Sequence, residues 1–182
     1  MKYPVLIASL FLTTTVVSIP VVFSDDERRE YRQRSVGVAA VNLPLYKEEC
    51  GSCHMAYQPG LLPERSWQKI MAGLESHFGD NAELDSNSTK IITDFLKKYS
   101  ADKSSYRRST KIMRSLVKND SPIRISETPY IKHEHDEIPD KMIKRNQEVK
   151  SLANCNACHT TAEKGIYDED NVKIPGYGKW DD

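Results

Sequence analysis

The sequence has no surplus of either charge, no long apolar run after residue 24 and no cysteine outside two five-residue stretches. Each absence removes a class of function. Lys and Arg number 26 against 26 Asp and Glu, so no overall field draws the chain to nucleic acid. Nor does a basic patch interleaved with aromatics offer a groove for single strands. No phosphate loop, nucleophile motif or acid and base pair can be placed by pattern. At 182 residues the chain suffices for one ordinary domain. Two very small domains would each need something besides apolar burial to hold them.

The N-terminus is the exception to the polar character. MKYPVLIASLFLTTTVVSIPVVFS carries Lys2, then an apolar run from Pro4 to Phe23, and gives way to DDERRE. A cation followed by an apolar stretch and small residues is the pattern of an export signal. Val22 and Ser24 suit cleavage before Asp25, an uncleaved anchor being the alternative. Pro20 and the threonines make a poor spanning helix and favour cleavage. Export places the four cysteines in an oxidising compartment, where an even count ordinarily means disulfides.

Their arrangement argues otherwise, because all four fall in CGSCH (Cys50, Cys53, His54) and CNACH (Cys155, Cys158, His159). C-x-x-C-H is the attachment signature of c-type haem. Two thiols one turn apart reach one edge of the porphyrin, and the next residue offers an imidazole to the iron. A thioredoxin-like dithiol would sit near a βαβ pattern, which neither motif has. Zinc or disulfides leave unexplained a histidine placed twice directly after the second cysteine. The expected cofactors are two haem c groups, with His54 and His159 as proximal ligands.

The sixth position of each iron has His77, His133, His135, Met55, Met71, Met113 and Met142 as candidates. Pro63 to Phe78 reads as a helix with Trp67, Ile70, Met71, Leu74, His77 and Phe78 on one face. A lone histidine there is ordinarily a hydrogen-bonded core residue, but next to a haem it reads as a ligand, with Met71 as rival. A further helix, capped by Ser86 or Ser88, would bury Ile91, Ile92, Phe95, Leu96 and Tyr99. With a helix from about Pro44 into Cys50, these form a first haem domain over 37–101, behind a polar segment at 25–36. The basic stretch 102–120 reads as a solvated linker helix, with a docking face for an acidic partner as the sharper alternative. The second haem domain, 121–182, is irregular up to Pro139, which opens a helix into Cys155. Both His133 and His135 fall in the irregular part, and in an extended stretch alternation would put them on the same side.

CGSCHMAYQPGLLPERSWQKIMAGLESHFGDNAELD, RISETPYIKHEHDEIP and VKSLANCNACHTTAEKGIYDEDNVKIPG together resemble the bacterial dihaem cytochrome c family, often called DHC. The resemblance implies a mainly α fold with two small haem-binding domains. The first would resemble a small cytochrome c, and the second would be irregular with short helices. It also implies bis-histidine iron and a periplasmic electron carrier whose partners include a b-type membrane cytochrome and, in some members, an oxygen-binding haem protein. The family pattern lands the distal ligands on His77 and His135, and His133 stands where an arginine is common. A peroxidase-like or nitrogen-oxide-reducing dihaem enzyme is the alternative and requires one open iron. A haem-based sensor would need a signalling domain, and none is legible.

Overall fold

The structure is a computed structural model that describes residues 24–180. The export signal expected at 1–24 lies, apart from Ser24, outside the described residues. Among the described residues seven α-helices account for most of the regular structure: α1 Asp25–Val36, α2 Pro44–Gly51, α3 Glu64–Met71, α4 Ser86–Lys98, α5 Arg107–Ser115, α6 Pro129–His133 and α7 Cys155–Cys158. One small hairpin closes the fold, pairing β1 (Lys173–Ile174) with β2 (Gly178–Lys179) antiparallel. No helix among the described residues is long and apolar enough to cross a membrane.

Local chemistry explains where these elements begin and end. The polar segment at 25–36 is itself a helix, and Asp25, Asp26 and Glu27 in its first turn complement the helix dipole. Pro44 and Pro129 open α2 and α6, where a missing N–H costs nothing. Asp85 caps α4, its carboxylate accepting from Asn87 N–H (2.9 Å) and Ser88 N–H (3.0 Å). The expected caps Ser86 and Ser88 lie one and three positions inside that helix. Its buried line is Ser88, Ile92 and Leu96, an i, i+4 row, while Ile91 and Tyr99 face outward. The helix expected over 63–78 stops at Met71. Gly73, a poor helix former, follows, and a 3-10 turn over Leu74–Ser76 carries the chain on. Beyond Pro139 there is one 3-10 turn, Asp140–Met142, in place of a helix running into Cys155.

Two hydrophobic clusters hold the molecule. The first joins Val41, Tyr46, Leu62, Trp67, Met71, Ile92 and Leu96. The second joins Val38, Leu61, Ile112, Tyr130, Ile131, Ala162 and Tyr167. Leu61 and Leu62 are neighbours in sequence yet anchor different clusters. The second cluster draws on the stretches 37–101, 102–120 and 121–182 alike. The solvated linker helix expected at 102–120 is corrected accordingly: α5 buries Ile112 and Ser109 completely. The Ser109 hydroxyl donates to Gly60 O at 2.7 Å, an approach so close that a Cβ on Gly60 would fall 2.8 Å from Ser109 Oγ. The helix packs on its apolar side and exposes Arg107 and Arg114, while Arg108 is turned inward.

Candidate haem sites

Each C-x-x-C-H motif opens onto a cavity, and in each a further histidine ring faces the motif's own, with His133 as an additional histidine at the rim of the second. Around the first motif α2 carries Cys50 in its last turn, and Cys53 and His54 follow in the turn beyond. The Nδ1 of His54 lies 2.8 Å from Met55 O. A carbonyl only accepts, so Nδ1 carries the proton and Nε2 keeps its lone pair for a metal. The ring stacks on Tyr57 at 4.8 Å with 27° between planes.

Facing it is His77, with ring centres 6.3 Å apart and planes at 29°. A tight turn presents this side chain. His77 N–H donates to Asp80 O at 2.8 Å and Asp80 N–H returns to His77 O at 3.2 Å. Gly79 at φ 111° and Phe78 at φ 57° make the reversal. A bulky residue in the left-handed region is strained, and the Arg124 guanidinium 4.0 Å over the Phe78 ring helps to hold it. Desolvation, with His54 and Arg124 adding to it and Asp80 opposing, lowers the pKa of His77, a shift toward the neutral ring that binding iron requires. Met71 lines the same cavity of about 460 Å³ but belongs to the first hydrophobic cluster.

The second motif forms the single turn α7, whose Cys155 carbonyl accepts from His159 N–H at 2.8 Å. His159 faces His135 with ring centres 6.0 Å apart and planes at 74°, and packs edge-on against Tyr167 at 5.4 Å. Burial, reinforced by His135 and Arg108, brings His159 down to about 4, so it too is neutral. Its Nδ1 is buried with no hydrogen-bond partner. His135 Nδ1 lies 2.7 Å from Ile131 O, which again leaves Nε2 free. His133, by contrast, is 80 % exposed at its side chain and sits 3.3 Å from the Asp136 carboxylate, on the rim of a cavity of about 430 Å³.

These residues fit a haem at each site. Bonds of about 2 Å from one metal to each of two opposed imidazoles leave the ring centres on the order of 6 Å apart. The thiols fit as well, since all four cysteines are free. Burial pushes Cys50 and Cys155 up to about 11, with Glu49 adding to the first and Cys158 to the second. A dithiol redox centre needs the opposite shift. Among the described residues no three His, Cys, Asp or Glu side chains converge as a zinc site would require.

Sequence reasoning missed the residues between the sites. Tyr57 donates its hydroxyl to Ala153 O at 2.5 Å, just before the second motif. Arg108 of α5 donates to Tyr167 O (2.9 Å) and to the Tyr130 hydroxyl (3.2 Å), and Tyr130 donates in turn to Glu134 (2.8 Å). Apart from the local Tyr130–Glu134 pair these contacts span 22 to 96 residues, and no periodicity announces them.

A model of the dihaem cytochrome c family, DHC, matches residues 46–167. The dihaem cytochrome type c of Shewanella baltica OS155 is 43% identical, covers 76% of this chain and 97% of its own, and superposes with a TM-score of 0.64. A dihaem cytochrome c from Rhodobacter sphaeroides is also 43% identical, with 71% of this chain and 99% of that one covered and a TM-score of 0.63. A structure of DHC purified from Rhodobacter sphaeroides is 39% identical over 70% of this chain and 99% of that one, with a TM-score of 0.56. No curated protein matches the chain.

Proposed function

Since the chain belongs to the dihaem cytochrome c family and carries two haem c groups, we propose that it is a periplasmic electron carrier whose irons are both held between two imidazoles. His54 and His77 serve the first, and His159 and His135 the second. Cys50, Cys53, Cys155 and Cys158 form the thioethers. The observation that carries this reading is the pairing itself, one histidine opposite each motif histidine at 6.3 and 6.0 Å.

When bound, each haem supplies a one-electron ferric/ferrous couple. The protein's residues do the rest. Carbonyls of Met55 and Ile131 hold one imidazole of each pair in the tautomer that offers Nε2. Apolar walls, among them Trp67 and Leu62 at the first site, exclude water. Held between two imidazoles, neither iron would offer a substrate a place to bind, and the chemistry would be outer-sphere exchange with redox protein partners. A b-type membrane cytochrome and an oxygen-binding haem protein are the partners the family resemblance points to. Export is supported by Lys2 and the apolar run behind it.

Ferric and ferrous spectra, recorded optically and by paramagnetic resonance with and without carbon monoxide, test the ligation. Two low-spin haems, no near-infrared methionine band and no carbon monoxide adduct are expected. A high-spin fraction or a ready adduct overturns the reading in favour of a dihaem enzyme with one open iron.

A further inference from the structure

Tyr57 and Gln58 are consecutive, and between them they touch what surrounds both motif histidines. The Tyr57 ring lies on His54, while its hydroxyl donates to Ala153 O, two residues before Cys155. Tyr46 fixes the backbone beneath it by donating to Tyr57 O at 2.7 Å. Gln58 is fully buried. Its Nε2 donates to Ala162 O at 2.7 Å, three residues after His159, and its Oε1 accepts from the Tyr167 hydroxyl at 2.6 Å. Tyr167 is the ring packed edge-on against His159. Leu152 and Cys155 line both cavities, and the Tyr57 hydroxyl reaches Ala153 O between them, at the partition.

From this juxtaposition we propose that Tyr57 and Gln58 are positioning residues that hold the two motif histidines in register, so that the geometry at one haem depends on contacts made at the other. The proposal rests on His54 and His159 being iron ligands. The physical case is one of constraint. A histidine ring turns about two torsions, and a stacked or edge-packed aromatic removes most of that freedom only if the aromatic is itself fixed. Tyr57 is fixed at its hydroxyl by Ala153, two residues before the second motif. Tyr167 is fixed at its hydroxyl by a residue that follows the first motif. Each ring partner is therefore anchored in the opposite half of the chain. Every polar end of Gln58 is used, and in such a buried network the loss of one member releases the others.

The experiment uses the full haem-loaded protein with Tyr57→Phe and, separately, Gln58→Leu. Ferric paramagnetic-resonance spectra and optical redox titrations are compared with wild type, and His77→Ala identifies the first-site signal by removing it. Both variants are expected to shift the g-values and midpoint of the second haem, although residues 57 and 58 follow the first motif. A purely structural role would lower thermal stability and leave both readouts in place. Superimposable second-haem spectra and midpoints in the haem-loaded variants overturn the proposal. If Gln58→Leu takes up no haem, Tyr57→Phe decides alone, because it removes one hydroxyl and keeps the ring. A high-spin wild-type signal would count against bis-histidine ligation, while the comparison of variant with wild type would still judge the clamp.

Discussion

At the scale of the residue, two histidines separated only by Glu134 have opposite fates. His135 turns inward and anchors its Nδ1 on Ile131 O, whereas His133 stands in solvent beside Asp136. His135→Ala should convert one haem to a high-spin form that binds carbonyl ligands, and His133→Ala should leave both spectra unchanged. Alternation in an extended stretch cannot separate them, because the choice is made by α6, which ends at His133 and turns the chain before His135. The two proposed ligand pairs should also differ from each other. Near-parallel imidazoles donate π density into the same iron orbital and split the pair, whereas near-perpendicular ones raise both orbitals alike. With planes at 29° and 74°, the ferric protein should show two resolved low-spin signals, the more rhombic one lost in His77→Ala.

At the scale of the element, α4 illustrates how much a pattern can tell. Its existence and its Ile92, Leu96 core line were legible as an i, i+4 row, and Ile92 is fully buried. Ile92→Ala should therefore cost about 2–5 kcal/mol in chemical denaturation, the range for deleting a buried aliphatic side chain. The cap was misplaced because Asp85, Ser86 and Ser88 are all competent, and only the carboxylate reaches two donors at once. Hydrogen bonds from Ser88 hold the Asp85 carboxyl below its ordinary value. A depressed carboxyl contributes stability above its unfolded pKa of about 4 and loses it as pH falls through the folded value. The gap in melting temperature between wild type and Asp85→Ala should accordingly be widest near neutrality and shrink in acid. A gap that is flat with pH would show that the charge of the cap contributes nothing. The helix leading toward His77 was overextended for a different reason. Apolar spacing continues past Gly73, but the backbone reverses at Phe78 and Gly79. A period of apolar residues does not report a turn that only φ reveals.

At the scale of the whole molecule, the cysteine spacing announced both haems, while nothing in the pattern announced that the two halves share a core. Val38 joins Ala162 and Tyr167 in one cluster, and its N–H donates to Gly165 O at 2.9 Å. Gly165 sits at φ 73°, and a Cβ there would lie 2.4 Å from Val38 O. Gly165→Ala should cost at least about 1–2 kcal/mol from the left-handed backbone alone, and more from the main-chain clash. Thermal unfolding of the loaded protein measures it, and an unchanged melting temperature would contradict the contact. Contacts of this reach lie beyond any window of local periodicity, which is why the boundaries drawn from sequence miss them. The same contact bears on biogenesis. A chain delivered from its N-terminus presents residue 38 long before residue 165, and a loop of that length must close before the second cluster can consolidate. The second cluster therefore consolidates only after both C-x-x-C-H motifs have been delivered, whereas the first, whose buried residues all lie within 41–96, can form without waiting for it.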